Sequence, residues 1–274
     1  PKKIDTLFFS RKRLKRPLDG SIAFISQSGA LGALLLDKFG EDGLGISKFV
    51  SLGNKIDIDE IEWLNYFNKD KQTRCIVFYI QSMERGKEFV ELAKKVVKNK
   101  PVIVLKAGTT KVGKKAALKH TGGTPIDKAL FSAAMKQAGI IEAMSVEDLI
   151  DYSKMLANQP VMAGNRLAIV TNGGGLGVLA ADEAEKRGFV VPEFSKETAK
   201  KIKGFLPDYA VVSNPLDLTA VASSETYEKV LNEVLKDKNV DGVVCIALLQ
   251  SPHLDENVIC LLYTSDAADE GLGV

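Results

Sequence analysis

Residues 21–45, SIAFISQSGALGALLLDKFGEDGLG, decide the fold because they contain a strand, a tight turn and a helix in succession. The first six residues are a short apolar run, QSG is a turn signal, and the apolar residues that follow suit a helix. Further on, the apolar runs KFVSLG, RCIVFYI and KPVIVLKAG are separated by the helical patterns IDEIEWLNYFNKD and GKEFVELAKKVVKNK. Strands that alternate with helices at this spacing predict right-handed βαβ units and a parallel sheet.

A second copy of this pattern begins at residue 166. RLAIVTNGGGLGVLAADEAEKRGFVV lies over the first stretch at a constant offset, so that Ser26 aligns with Thr171 and Gly29 with Gly174. The predicted architecture is therefore an α/β fold with two tandem doubly wound parallel-sheet domains.

The boundary between the two copies is predicted near ANQPVMAGN, where proline, glycine and asparagine interrupt the helical pattern VEDLIDYSKML. The domains are expected to span residues 20–158 and 165–259, and the second copy is expected to be truncated. Beyond them, CLLYTSDAADE departs from the preceding character and looks like a translated sequencing adapter. Residues 260–274 are therefore predicted to pack poorly and to contribute nothing to the site.

Bulk composition narrows the function classes. The 274 residues suit about two domains, and 45% hydrophobic with 26% charged residues are ordinary globular values. A net charge of +2 indicates no nucleic-acid partner, and the basic run RKRLKR is interpreted as a solvated linker. No apolar stretch reaches the ~18 residues that span a bilayer, and no signal peptide is visible. A cytoplasmic protein without a membrane partner is expected.

His120 is one of two histidines and lies in KHTGG, a polar loop rich in glycine. An ordinary imidazole is mostly neutral at pH 7, so it can act as a nucleophile or a base. A surface role is the alternative. Each copy also has a glycine turn that opens a helix, where backbone N–H groups and the helix dipole favour phosphate, although such glycines are often only steric. Together these features predict one phosphate held between two helix starts, with the turns at Ser28 and Gly174 facing a shared cleft.

The motifs FISQSGALG, SLGNKIDIDE, KPVIVLKAGTT, KHTGG, TNGGGLG and SNPLDLT occur in this order. This combination resembles the nucleoside-diphosphate-forming acyl-CoA synthetases, among them the ADP-forming acetyl-CoA synthetases and succinyl-CoA synthetase. The likeness runs from Thr6 to about Pro252. It implies a flavodoxin-like, succinyl-CoA synthetase-like fold, and a fragment of an acetate-CoA ligase type of enzyme. The implied reaction converts acyl-CoA, phosphate and ADP to acid, CoA and ATP through a phosphohistidine.

The same resemblance assigns roles to residues. His120 matches the phosphorylated histidine, and Gln81 stands where the family commonly carries a glutamate that orients it. Glutamine can still hydrogen-bond the ring, but it cannot offset positive charge; Glu84 is a substitute only if it points inward. The phosphate-binding positions are Ser26, Gln27, Ser28, Gly29, Asn172, Gly173, Gly174 and Gly175. Possible substrate-binding residues are Lys106, Asn54 and Asp217, for which a rim position or local capping is the alternative.

The resemblance also implies what lies around this chain. Residues 1–19 are expected to be a linker from a CoA-binding domain, and an ATP-grasp subunit or domain is the expected partner. CoA, acyl phosphate, inorganic phosphate and ADP or ATP with Mg²⁺ are the expected ligands, with their sites mostly outside this chain; neither a bound metal site nor flavin is expected. A catalytically weakened regulatory or binding module, favoured by Gln81, is one alternative. A tandem that binds another phosphate compound is the other.

Overall fold

A parallel β-sheet organises each of two units in the computed structural model, which describes residues 4–7, 9–121 and 126–259. The chain divides into these units after Asn158. Residues 122–125, which include the glycine pair of KHTGG, and the adapter-like residues 260–274 lie outside the described residues. No helix of the described part is long and apolar enough to cross a membrane.

In the described residues of the first unit, five parallel strands form a sheet in the order β2-β1-β3-β4-β5. This is the flavodoxin-like order, in which ligands bind at the carboxyl ends of the strands. The strands are β1 (Asp19–Ser26), β2 (Ile46–Ser51), β3 (Cys75–Ile80), β4 (Val102–Lys106) and β5 (Ile141–Ala143). The helices are α1 (Gly29–Glu41), α2 (Glu60–Lys69), α3 (Gly86–Val96), α4 (Lys111–Thr121), α5 (Lys128–Ala138) and α6 (Val146–Asn158).

Helices cover both faces of this sheet because consecutive strand residues point to opposite sides. Ala23 and Ile25 of β1 pack in the core formed with α2, α3 and α5. Ile22 and Phe24 pack in the core formed with α1 and α6. In sheets of this kind ligands bind at the carboxyl edge, so this edge is where a site is expected.

The second unit contains a three-stranded parallel sheet in the order β7-β6-β8. The elements are β6 (Leu167–Thr171), α7 (Gly174–Lys186), α8 (Lys196–Lys203), β7 (Leu216–Asp217), α9 (Ser224–Val234) and β8 (Gly242–Ile246). This order repeats that of β2-β1-β3, as the internal repeat predicts. Alternating residues of β6 again face two cores, one with α8 and α9 and one with α7. The predicted α/β fold class is confirmed.

Candidate functional site

The carboxyl ends of β1, β3 and β4 bring the first group of predicted site residues together. Ser26 pairs with Tyr79, and Ile80 pairs with Lys106, so these three strands end at the same level. Gln27 and Gln81 follow the first two strands directly. The parallel register, rather than nearness along the chain, therefore places their side chains at one edge.

His120 meets this edge through Gln81. Its Nδ1 lies 3.2 Å from Gln81 Oε1, within hydrogen-bond distance, while the histidine is exposed and Gln81 is buried. The prediction that His120 lies in a loop is wrong, since it occupies the last turn of α4. Lysine, alanine and leucine in KVGKKAALK are good helix formers, and they carry the helix through the histidine.

The Gln81 amide has a second partner that leaves its orientation open. Its Nε2 donates to the Tyr79 hydroxyl at 3.2 Å, and its oxygen faces His120 Nδ1, from which it accepts when Nδ1 carries the proton. A hydroxyl both donates and accepts, and an amide turned by 180° would satisfy Tyr79 equally. Only the first arrangement leaves the Nε2 lone pair of His120 free. A carboxylate at position 81, which only accepts, would impose that tautomer.

Gln27 is a clamp between β1 and the chain after β3. Its Oε1 accepts from the backbone N–H groups of Gln81 (2.7 Å) and Ser82 (3.0 Å), and its Nε2 donates to Ser82 O (2.7 Å) and Glu60 Oε1. The Gln27 N–H donates to Tyr79 O. Gln27 was predicted to bind phosphate, but its side chain and N–H are already committed to this clamp.

A buried ion pair braces the clamp from α2. Lys55 Nζ donates to Glu60 Oε1 at 2.9 Å and to Ser82 O at 3.0 Å, and the Glu60 side chain is 2% exposed. Burial raises the pKa of Glu60, and the ammonium group of Lys55 opposes that rise. Sequence reasoning assigned no role to this pair. The buried position of Glu60, the first residue of α2, is a tertiary feature.

The start of α1 is the phosphate-compatible feature of the first unit. Ser28 is the N-cap, and its side chain accepts from Leu31 N at 3.3 Å. The buried hydroxyl of Ser26 accepts from Ser28 N and donates to Ser28 O, which fixes the turn. Gly29 is exposed at the helix start, where first-turn N–H groups have no intrahelical partner. These N–H groups can take an anion.

Lys106 supplies a buried positive charge at the same edge. Its Nζ donates to Gln81 O at 2.8 Å and to Ala107 O, and it lies 6.0 Å from the centroid of the Phe131 ring. Burial, with repulsion from Lys114 and Lys128, lowers the pKa of Lys106 to about 8. Among the described residues no carboxylate pairs with this ammonium group, so it can balance an anionic ligand.

The second unit repeats the clamp with different partners. Asn172 Oδ1 accepts from Leu248 N at 2.8 Å, and its Nδ2 donates to Leu248 O at 3.2 Å. The Tyr227 hydroxyl of α9 lies 3.0 Å from Asn172 Oδ1. The Thr171 hydroxyl accepts from Gly173 N, as that of Ser26 does from Ser28 N. The buried Asn172 side chain is therefore engaged in the same way as Gln27.

The helix starts of the two units differ in charge. In the first unit, a Cβ on Gly29 would lie 3.5 Å from Ser51 Oγ. In the second unit, a Cβ on Gly174 would lie 2.6 Å from Asp217 Oδ2, and Asp217 Oδ1 accepts from Thr219 N. A carboxylate thus adjoins the start of α7, with Gly175 exposed beside it. That one phosphate meets both helix starts stays a prediction.

The remaining candidates are exposed side chains. Asn54 is exposed in the turn after β2, and Glu84 is exposed in the loop before α3. His253 is exposed as well. No group of three or more histidine, cysteine, aspartate or glutamate side chains in the described ranges is arranged to hold a metal ion.

Comparison with known proteins gives two matching domain families. Residues 19–156 match the succinyl-CoA ligase-like flavodoxin domain, and residues 167–249 match the ligase-CoA domain. The matched ranges contain His120 and Gln81 in the first domain and the Asn172–Gly175 turn in the second.

Individual relatives agree with this match. The chain is 40% identical over 230 residues to the alpha subunit of ADP-forming acetate–CoA ligase II from Pyrococcus furiosus, covering 84% of this chain and 50% of that protein. It is 44% identical over 209 residues to the ADP-forming acetate–CoA ligase of Methanocaldococcus jannaschii, covering 76% and 30%. The chain thus spans half or less of these relatives.

A solved structure is similar over most of the chain. It is the dinucleotide-forming acetyl-coenzyme A synthetase 1 of Candidatus Korarchaeum cryptofilum in complex with phosphate and ADP. The TM-score is 0.83 at 37% identity, and the match covers 90% of this chain and 54% of that one. Fold and sequence therefore agree on the same group of proteins.

Proposed function

Because the chain belongs to the succinyl-CoA ligase-like flavodoxin domain family and is similar to ADP-forming acetate–CoA ligases, we propose that His120 is its phosphoryl carrier. The contact of His120 Nδ1 with Gln81 Oε1 at 3.2 Å carries the proposal. It holds the ring at the ligand-binding edge of the sheet with Nε2 directed elsewhere. The proposed overall reaction converts acyl-CoA, phosphate and ADP to acid, CoA and ATP, as in an acetate-CoA ligase.

The proposed reaction at His120 begins with transfer of a phosphoryl group to its imidazole. Its Nε2 lone pair attacks the phosphorus of an acyl phosphate, forming an N–P bond. The bond from phosphorus to the acyl oxygen breaks, and its electron pair leaves on the carboxylate. Nδ1 keeps its proton, which Gln81 Oε1 accepts as a hydrogen bond, so the ring becomes positively charged. In the second step the N–P bond breaks and a terminal oxygen of ADP takes the phosphoryl group.

The start of α1 and Lys106 are proposed to hold the anionic groups of this reaction. The Ser28 hydroxyl and the backbone N–H of Gly29, in the turn that Ser26 fixes, would contact phosphate oxygens, and the helix dipole contributes about 0.3–1 kcal/mol. The buried Lys106 ammonium adds a charge without a carboxylate partner among the described residues. Gln27 serves by holding the Gln81 backbone in place.

The start of α7, with the backbone of the Asn172, Gly173, Gly174 and Gly175 turn, is proposed to contact phosphate more weakly than the start of α1, since Asp217 lies beside it. Asn54 is proposed to line the substrate edge from the turn after β2.

CoA, ADP and Mg²⁺ are proposed to be bound mainly outside these residues. An ATP-grasp subunit or domain is the proposed partner, because the P. furiosus relative is named as an alpha subunit. Mg²⁺ prefers carboxylate and phosphate oxygens, and the described residues contain no cluster of metal ligands. We propose that the reaction takes place in the cytoplasm.

Gln81 favours a second candidate function, a ligase-like regulatory module with weakened phosphotransfer. Glutamine imposes the Nδ1–H tautomer less strictly than a carboxylate does, and it does not balance the charge on a phosphorylated ring. The two candidates therefore differ in whether the wild-type residue supports transfer.

Phosphorylation by labelled acetyl phosphate tests both candidates with the 274-residue chain. For the enzyme, we expect acid-labile, base-stable label on the wild type, none on His120→Asn, and unchanged label on the matched control His253→Asn. Label on Gln81→Glu but not on the wild type would support the regulatory module. The phosphohistidine proposal is wrong if neither protein takes up label at His120.

A further inference from the structure

Four polar groups next to Gln81 form a closed ring of hydrogen bonds: Lys55 Nζ, Glu60 Oε1, Gln27 Nε2 and Ser82 O. Lys55 Nζ donates to Glu60 Oε1 and to Ser82 O, and Gln27 Nε2 donates to the same two oxygens. Two donors and two acceptors thus alternate around the ring. It ties the ends of β1 and β3 to the loop after β2 and to the start of α2.

This ring is an unusual way to hold a loop. Burying two charges costs several kcal/mol per ion, and apolar replacement of a buried pair is often neutral or stabilising. Lys55 also has a φ of +54°, in the left-handed region that a lysine rarely adopts. On these grounds the pair is not expected to stabilise the fold more than apolar residues of similar size would.

The second unit shows that the clamp does not require an ion pair. Asn172 holds Leu248 there as Gln27 holds Gln81 and Ser82. In the described part of that unit, the group that the helix after the second strand gives to the clamp is the neutral hydroxyl of Tyr227. The ionic version occurs in the copy whose clamped segment contacts the histidine. This difference between repeats points to a role at the histidine.

We infer that Lys55 and Glu60 are positioning residues: through Gln27 and the Ser82 carbonyl they fix the segment that presents Gln81 Oε1 to His120 Nδ1. Neither Lys55 nor Glu60 is hydrogen-bonded to the imidazole of His120. They act by preventing the Gln81–Ser82 backbone from shifting, which keeps the amide oxygen within reach of Nδ1–H. An effect of Lys55 and Glu60 on phosphotransfer rests on the proposed function. Their effect on the contact between Gln81 Oε1 and His120 Nδ1 can be measured without phosphotransfer.

The test is ¹⁵N NMR of the full chain labelled at histidine, which contains only two histidines. His253→Gln assigns the spectrum. In the wild type we expect His120 mainly as the Nδ1–H tautomer. Gln81→Leu should lower the ratio of Nδ1–H to Nε2–H by about fivefold, the change that follows from losing one ordinary hydrogen bond.

The decisive variant is Lys55→Met with Glu60→Leu, which removes the ring but keeps apolar volume. We expect a folded chain with a thermal midpoint equal to or above that of the wild type, and a tautomer ratio shifted toward that of Gln81→Leu. The matched control is Lys48→Met with Asp70→Leu, which removes a partly buried pair (2.6 Å) whose carboxylate lies just beyond the other end of α2. It should leave the ratio unchanged.

Glu60→Gln keeps the experiment informative if the double variant does not fold, and its ratio should shift in the same direction by less. The inference is overturned if the folded variant, either Lys55→Met with Glu60→Leu or Glu60→Gln, keeps the wild-type tautomer ratio. It is also overturned if the Lys48→Met, Asp70→Leu control shifts this ratio by as much. If Gln81→Leu leaves the ratio unchanged, the contact that the pair was inferred to position is absent. None of these results depends on labelling by acetyl phosphate, so failure of the proposed function is recognised separately.

Discussion

Asp217 occupies in the second unit the position that Ser51 occupies in the first. Ser51 pairs with Ser26 at the end of β1, and Asp217 pairs with Thr171 at the end of β6. The Ser51 side chain lies beside Gly29, the first residue of α1, and the Asp217 side chain lies beside Gly174, the first residue of α7. The two helix starts are therefore equivalent in strand pairing, but the start of α7 has one more negative charge beside it.

Exchange of these two residues should exchange the anion preference of the two turns. We expect Asp217→Ser to strengthen phosphate binding at Gly174 about tenfold, because it removes a like charge within a few ångströms of the anion. Ser51→Asp should weaken binding at Gly29 by a similar factor. Titration with inorganic phosphate, followed by amide shifts of these glycines, measures both. Ser51→Asn is the neutral control; equal affinities in all variants would contradict the prediction.

The buried Lys106 should make stability depend on pH above neutrality. Its pKa is lowered to about 8 in the folded chain, whereas an unfolded lysine has a pKa of about 10.4. Between these values the unfolded chain binds more protons, so the free energy of unfolding rises with pH. Lys106→Met should lack this rise. Urea unfolding from pH 7 to 10 gives the difference between the two proteins, and parallel curves would show that Lys106 titrates normally.

Gln81→Glu should increase the rate of His120 phosphorylation by acetyl phosphate about tenfold, a typical effect for a group that orients a reacting imidazole. A carboxylate can only accept the Nδ1–H, and it balances the positive charge of the phosphorylated ring. The initial rate of label uptake is the measurement. Glu84→Gln, a change of the same kind on an exposed side chain, should have no effect. A slower Gln81→Glu would mean that the amide is the better partner.

Gly32→Ala should destabilise the first unit by about 1–3 kcal/mol through overpacking. A Cβ there would lie 2.6 Å from the Phe49 ring and 3.2 Å from Ser26 Cβ, so α1 would have to move away from β1 and β2. Gly175→Ala is the control, since its Cβ would meet no atom within 4 Å. Chemical denaturation should show a loss for Gly32→Ala only. Equal stabilities would indicate that Phe49 moves aside freely.

The sequence by itself determined the fold class, the internal repeat and the family, because these depend on local patterns. Alternating apolar runs and helical periodicity fix strands and helices nearly independently of context, and the glycine turns recur at a constant offset. The motif order also singled out His120 and Gln81. It did not reveal that helix-forming residues extend α4 through His120, since the glycine pair suggested a loop.

Only the tertiary structure decided how the polar side chains at the sheet edge are used. The sequence predicted Gln27 and Asn172 as phosphate ligands, but each side chain is hydrogen-bonded to the backbone that follows a neighbouring strand. The Lys55–Glu60 pair and the place of Asp217 beside Gly174 were equally invisible. The physical reason is that buried polar groups must find partners wherever the sheet brings loop ends together, and parallel pairing joins residues that are far apart in the chain.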